Sequence, residues 1–173
     1  MNFIPTYTLL DSLKTFLADL ELAPATDEQP AVKFDRVEMY SALDLVQALE
    51  DLRIFKNRVC LIVPSSDDSE NVSEGTELRS SLVRTFEIIV ADRDYGRRQN
   101  ASTGDADTLG VIRIKDIVHE KLWGSNLGLE PRRLNFRLIG GEAIVLTQKQ
   151  RETLSGREAW QMTWQCDAGT AVL

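Results

Sequence analysis

The longest run of alternating positions lies at 78–94. There Leu82, Arg84, Phe86, Ile88 and Val90 fall on one side, and Val83, Thr85, Glu87 and Ile89 on the other. The first set is mostly apolar, which predicts a strand from Leu78 to Asp94 with that side against a core. It is long enough to form a hairpin with its neighbour or to project beyond the sheet. RVCLIVP at 58–64 is a continuous apolar run stopped by Pro64, the pattern of a buried strand. In the C-terminal third, 133–140, 142–147 and 158–166 read as three further strands, with Gly140-Gly141 as a tight hairpin turn or bulge between the first two. In the last of them Trp160, Met162 and Trp164 share one side while Gln161, Thr163 and Gln165 share the other, as in a half-buried strand.

Helical spacing occurs three times. Leu9, Leu10, Leu13, Phe16, Leu17 and Leu20 form one stripe between a start at Pro5-Thr6 and a stop at Pro24. Ser41 is an N-cap for a short helix carrying Leu45, Leu49 and Leu52. Val111, Ile114, Val118 and Leu122, widened by Ile117, predict a helix over Leu109–Trp123, capped by Asp107 or Thr108 and broken at Gly124–Gly128. Between the first two, Val32–Tyr40 alternates weakly, with Phe34 and Val37 out of phase, and predicts a short or irregular strand. The order predicts an α+β fold: a mixed, mainly antiparallel sheet with about three helices packed on it, as one domain over 1–173.

Two polar stretches interrupt the pattern. SSDDSENVSEGTE at 65–77 holds Asp67, Asp68, Glu70, Glu74 and Glu77 with no basic residue, and is expected to be a mobile acidic loop. Its acids lack the spacing of a calcium loop, so a solvated loop is the better reading. YGRRQNASTGDAD at 95–107 is a polar, turn-rich loop, and the tail 167–173 is expected to fray. Arg97 and Arg98 beside Asp92, Arg93 and Asp94 make a mixed-charge patch on a loop. It is either a solvated surface or a subunit contact, with Asp67, Asp68, Glu70 and Glu74 of a neighbouring subunit as its candidate complement.

Composition narrows the function classes. The 173 residues carry a formal net charge of −7, unlike a nucleic-acid or anionic-membrane binder. The N-terminus has neither the basic start nor the long apolar core of a signal peptide or membrane span, so the chain is expected to be cytoplasmic. Cys60 and Cys166 sit in apolar runs and read as buried free thiols; with one histidine they fall short of a zinc site. His119, the sole histidine, is surrounded by helix-surface residues, which suits a half-buried position better than a general base. Hydrolase, P-loop and dinucleotide motifs are absent, and Trp160 and Trp164 alternate as packing residues do. The expectation is no enzyme, no cofactor and no metal.

The strand ending IVADRDYG (Ile89–Gly96), followed by LGVIRIKDIVHEKLWG (Leu109–Gly124) and closed by AWQMTWQC, resembles the minor tail proteins of Mu-like phages and prophages and the wider tail-terminator group that includes phage lambda's. The resemblance runs from about Leu9 to Cys166 as a pattern of elements, least comparable around 65–77. It implies a structural protein that closes the end of the tail tube as a ring, usually a hexamer. The implied partners are itself, the tail-tube protein and a head–tail joining protein. It also implies assembly in the host cytoplasm and a final place in the virion tail. A different head–tail connector or tube protein, or a small ligand-binding domain or enzyme, is the alternative. A deep apolar pocket holding His119 or Trp160 with convergent polar groups would favour the latter.

Overall fold

A computed structural model gives the fold; it describes residues 2–41, 58–74, 77–93, 103–104, 109–129, 135–144 and 157–172. The chain is α+β. Its strands are β1 (Asn2–Phe3), β2 (Arg36–Met39), β3 (Val59–Glu74), β4 (Glu77–Arg93), β5 (Phe136–Ala143) and β6 (Arg157–Val172). Two helices are described, α1 (Thr6–Asp19) and α2 (Val111–Leu122). The helix predicted after Ser41 lies outside the described residues.

The strands form one mixed sheet in the order β1-β6-β4-β3-β2, with β5 also paired to β6. Only β2 and β3 run parallel; the other pairs are antiparallel. β4 is flanked along nearly its whole length, by β3 from Glu77 to Ala91 and by β6 from Arg79 to Arg93. The side of β4 predicted to face the core does so: Phe86, Ile88 and Val90 are buried with Cys60, Ile62, Met162 and Trp164. α1 covers β2 and β3 on this side through Leu9, Leu13 and Leu17. α2 covers β4 and β6 through Val111, Ile114, Val118 and Leu122. On the opposite side Val59, Leu61, Val63, Ile89, Ala91 and Ala159 make a second buried cluster. Burial on both faces explains why 59–63 reads as an unbroken apolar run.

Three expectations need correction. The stretch expected as an acidic loop is strand: β3 continues through Pro64 to Glu74, paired with Glu77–Phe86 of β4. β2 ends opposite Ile62, so from Pro64 onward β3 is an edge among the described residues, where a residue without an N–H is tolerated. The polar sequence needs no apolar core of its own, because β4 supplies its backbone partners. The tail likewise is strand rather than frayed, since β6 runs to Val172 and pairs with Arg79 and β1. β1 was not foreseen; two residues are too few to carry a pattern.

The third correction concerns Gly140-Gly141, which makes no hairpin. β5 passes straight through both, with a register shift between Leu138 and Gly140 that is the bulge alternative. At Gly141 a Cβ would lie 3.1 Å from Trp160 Nε1 and 3.2 Å from Gln161 O, so the missing side chain makes room for the indole. At Gly140 a Cβ would meet nothing within 4 Å. Gly141→Val is therefore expected to displace Trp160 and lose about 1–3 kcal/mol in urea unfolding. Gly140→Val should stay within about 0.5 kcal/mol of the parent.

Candidate functional site

The described members of the charged residues singled out in the sequence sit at two widely separated places on the β3–β4 hairpin. Asp67 and Asp68 are exposed on the outer half of β3, and Glu70 and Glu74 follow them along the same strand. Arg93 ends β4 at the opposite end of the sheet, and the chain runs from there into Asp94, Arg97 and Arg98, which lie outside the described residues. Asp67 is paired in register with Arg84. The nine residues from Arg84 to Arg93 span about 30 Å of strand. Among the described residues, Asp67 and Arg93 are thus not brought together within one chain.

Asp67 already has a partner. A register shift between Pro64 and Ser66 turns Asp67, rather than a neighbour, towards the side of β4 that carries Arg84. The Arg84 side chain is 5% exposed, with Nε 3.4 Å from Asp67 Oδ1, an ion pair without hydrogen-bond alignment. Its Nη1 donates to the Ile4 carbonyl. Arg84 therefore ties the N-terminal segment to the hairpin. A buried guanidinium needs such partners because taking it out of water is costly. Asp68 instead accepts a bond from Ser66 Oγ at 3.3 Å and stays open to solvent.

At the other end, Asp92 is 1% exposed. It accepts hydrogen bonds from the Arg93 backbone N–H at 2.8 Å and from the Gly110 N–H at 2.9 Å. Gly110 is the residue before α2, and its N–H is held by a carboxylate 18 residues upstream; the predicted cap residues Asp107 and Thr108 lie outside the described residues. The helix dipole favours a negative charge at this position. The bond also joins the two segments on which the tail-protein resemblance rests, Ile89–Gly96 and Leu109–Gly124. Gly110 has φ +79, and a Cβ there would lie 2.2 Å from Gly104 N and 2.5 Å from the Thr103 carbonyl carbon. Only glycine fits.

Burial raises the Asp92 pKa above its ordinary 3.8, while the two backbone bonds and the charge of Arg58 pull it down. Asp35, on the other side, raises it further and is tied to Arg58 by its carboxylate, which accepts from the Arg58 N–H at 2.8 Å. Sequence reading missed this group, because Asp92 looked like one member of a solvated charge run.

The thiols and His119 sit as expected of packing residues. Cys60 and Cys166 are free and buried; burial pushes Cys166 up to about 12 and Cys60 further still, away from reactive thiolate. The His119 ring packs edge-on against Trp123 and Trp164, with centroids 5.3 and 5.8 Å away. Lys115 Nζ lies 5.1 Å from the Trp160 ring centre. The cavity that holds both His119 and Trp160 is about 140 Å³. That is smaller than the ~300 Å³ of modest ligand pockets. Among the described residues no three His, Cys, Asp or Glu side chains are placed to hold a metal ion. No helix among them is long and apolar enough to cross a membrane. No protein-family model matches the chain, and no curated protein matches it.

Two outcomes follow. Gly110→Ala is expected to displace the first turn of α2 and lose more than about 2 kcal/mol in urea unfolding, above the strain of a left-handed alanine alone. For Asp92, the folded chain holds its proton more tightly than the unfolded chain. Its contribution to stability is therefore fullest below 3.8 and declines as pH rises through the raised folded value. Between about pH 4 and pH 7 the parent should lose stability relative to Asp92→Asn; the reverse slope in urea midpoints would contradict the raised pKa.

Proposed function

We propose that this chain is a structural phage or prophage tail protein that completes the tail tube as an oligomeric ring and helps head–tail joining. It acts without catalysis, cofactor or metal. In this reading it assembles in the bacterial cytoplasm, ends in the virion tail, and carries a third helix over 41–52.

The observation that carries the reading is the separation of charge along β3–β4. Acids lie along one end of the hairpin, and β4 ends with Arg93 at the other, about 30 Å from Asp67 along the strand. In this reading Arg97 and Arg98, which follow Arg93 in the chain, meet those acids on the neighbouring subunit. Different patches on successive copies make a head-to-tail contact, which closes into a ring when the rotation allows it. Further support comes from the Asp92–Gly110 bond, which gives the two tail-protein-like segments a common physical purpose. The net charge of −7 suits a subunit beside passing DNA, since like charges limit sticking. Because Asp67 is committed to Arg84, the acidic side of the contact centres on Asp68, with Glu70 and Glu74 along the strand.

The test is mass by light scattering over a concentration series, with electron micrographs of the same samples. Six copies of 19.5 kDa give a closed particle of about 117 kDa. Arg97→Glu with Arg98→Glu should return it to monomer; unchanged assembly would sink the charged contact. Open tubes of growing length would identify a tube protein instead. A strict monomer that adds nothing to purified tail tubes would reject the reading.

A further inference from the structure

The outer side of α1 borders an open groove of about 510 Å³ that the ring contact does not use. Its apolar lining comes from Phe16, Leu20 and Leu127, and its rim carries Asp11, Asp19 and Glu21. Asp19 is engaged by Lys33 at 3.6 Å. Asp11 and Glu21 are exposed and have no cationic partner among the described residues. Leu127 is held in the left-handed region at φ +51, within a turn closed by Ser125 Oγ and Asn126 Oδ1. A leucine there carries strain that glycine would not, yet it supplies one apolar wall of the groove.

We infer that this groove docks a cationic peptide segment of a partner protein, with apolar side chains seated on Phe16, Leu20 and Leu127 and basic residues on either side reaching the rim. The geometry sets the spacing. Asp11 and Asp19 are eight residues apart on one helix, about 12 Å. An extended segment covers that distance in three or four residues, which describes basic groups flanking two apolar ones. A compact cation cannot reach both ends, and an anionic or purely apolar segment leaves the rim unpaired. The inference does not depend on the ring.

The test uses the full chain and a fluorescein-labelled Arg-Arg-Leu-Leu-Arg-Arg peptide, with Glu-Glu-Leu-Leu-Glu-Glu as its counterpart. Binding is read by anisotropy and by amide shift mapping. The basic peptide should bind in the micromolar to sub-millimolar range, weaken with added salt and perturb Phe16, Leu20 and Leu127. Asp11→Lys with Glu21→Lys should weaken it at least about tenfold, and Asp116→Lys with Glu120→Lys, an equal change of charge on the exposed side of α2, should not. Leu127→Gly relieves the left-handed strain while deleting the apolar wall, so it should weaken binding with the melting temperature nearly kept. Four results would overturn the inference. These are no binding up to about 1 mM, equal loss in the Asp116→Lys, Glu120→Lys double variant, equal binding of the glutamate peptide, and shifts at these residues that track self-association.

Discussion

The backbone pairing of β4 on both edges is the constraint on which the rest depends. Its neighbours β3 and β6 accompany it almost end to end, so each is held by β4 rather than by its own composition. That is why a stretch as polar as 65–74 can be strand: its ladder is satisfied on the β4 side and its outer edge is wet. The same edge carries proline and acids, devices that discourage indiscriminate pairing of an exposed strand.

Two buried charges mark the ends of the part of β4 that meets the core. Arg84 reaches back to the Ile4 carbonyl and across to Asp67, fastening the N-terminus to the hairpin. Asp92 reaches the Gly110 N–H and fixes where α2 begins. Between them Phe86, Ile88 and Val90 fill the layer under the helices. A charge buried with partners specifies geometry more than it adds stability, because desolvation offsets much of the attraction. Both groups fit that role: each joins elements far apart in sequence.

The surfaces left outside this frame are polarised. One end of the hairpin is acidic, the other leads into arginines, and the α1 groove has an apolar lining under an acidic rim. A small cavity of about 140 Å³ beside His119 offers little room for a substrate.

Periodicity alone located α1, α2, the paired faces of β4 and the Trp160–Met162–Trp164 side of β6, because each buries one regular stripe and leaves the other to solvent or to a second layer. It also marked Cys60 and Cys166 as buried thiols. It could not assign 65–74, where pairing comes from β4 and the side chains carry no stripe, nor separate a turn from a bulge at Gly140-Gly141. Of the residues suggested as a contact, only the fold put Asp67 against Arg84 and left Arg93 at the opposite end of β4. Asp92 is the clearest case. Local sequence presents it as a surface charge beside Arg93, whereas burial and its bond to Gly110 arise from chain returning 18 residues later, which no pattern of neighbours encodes.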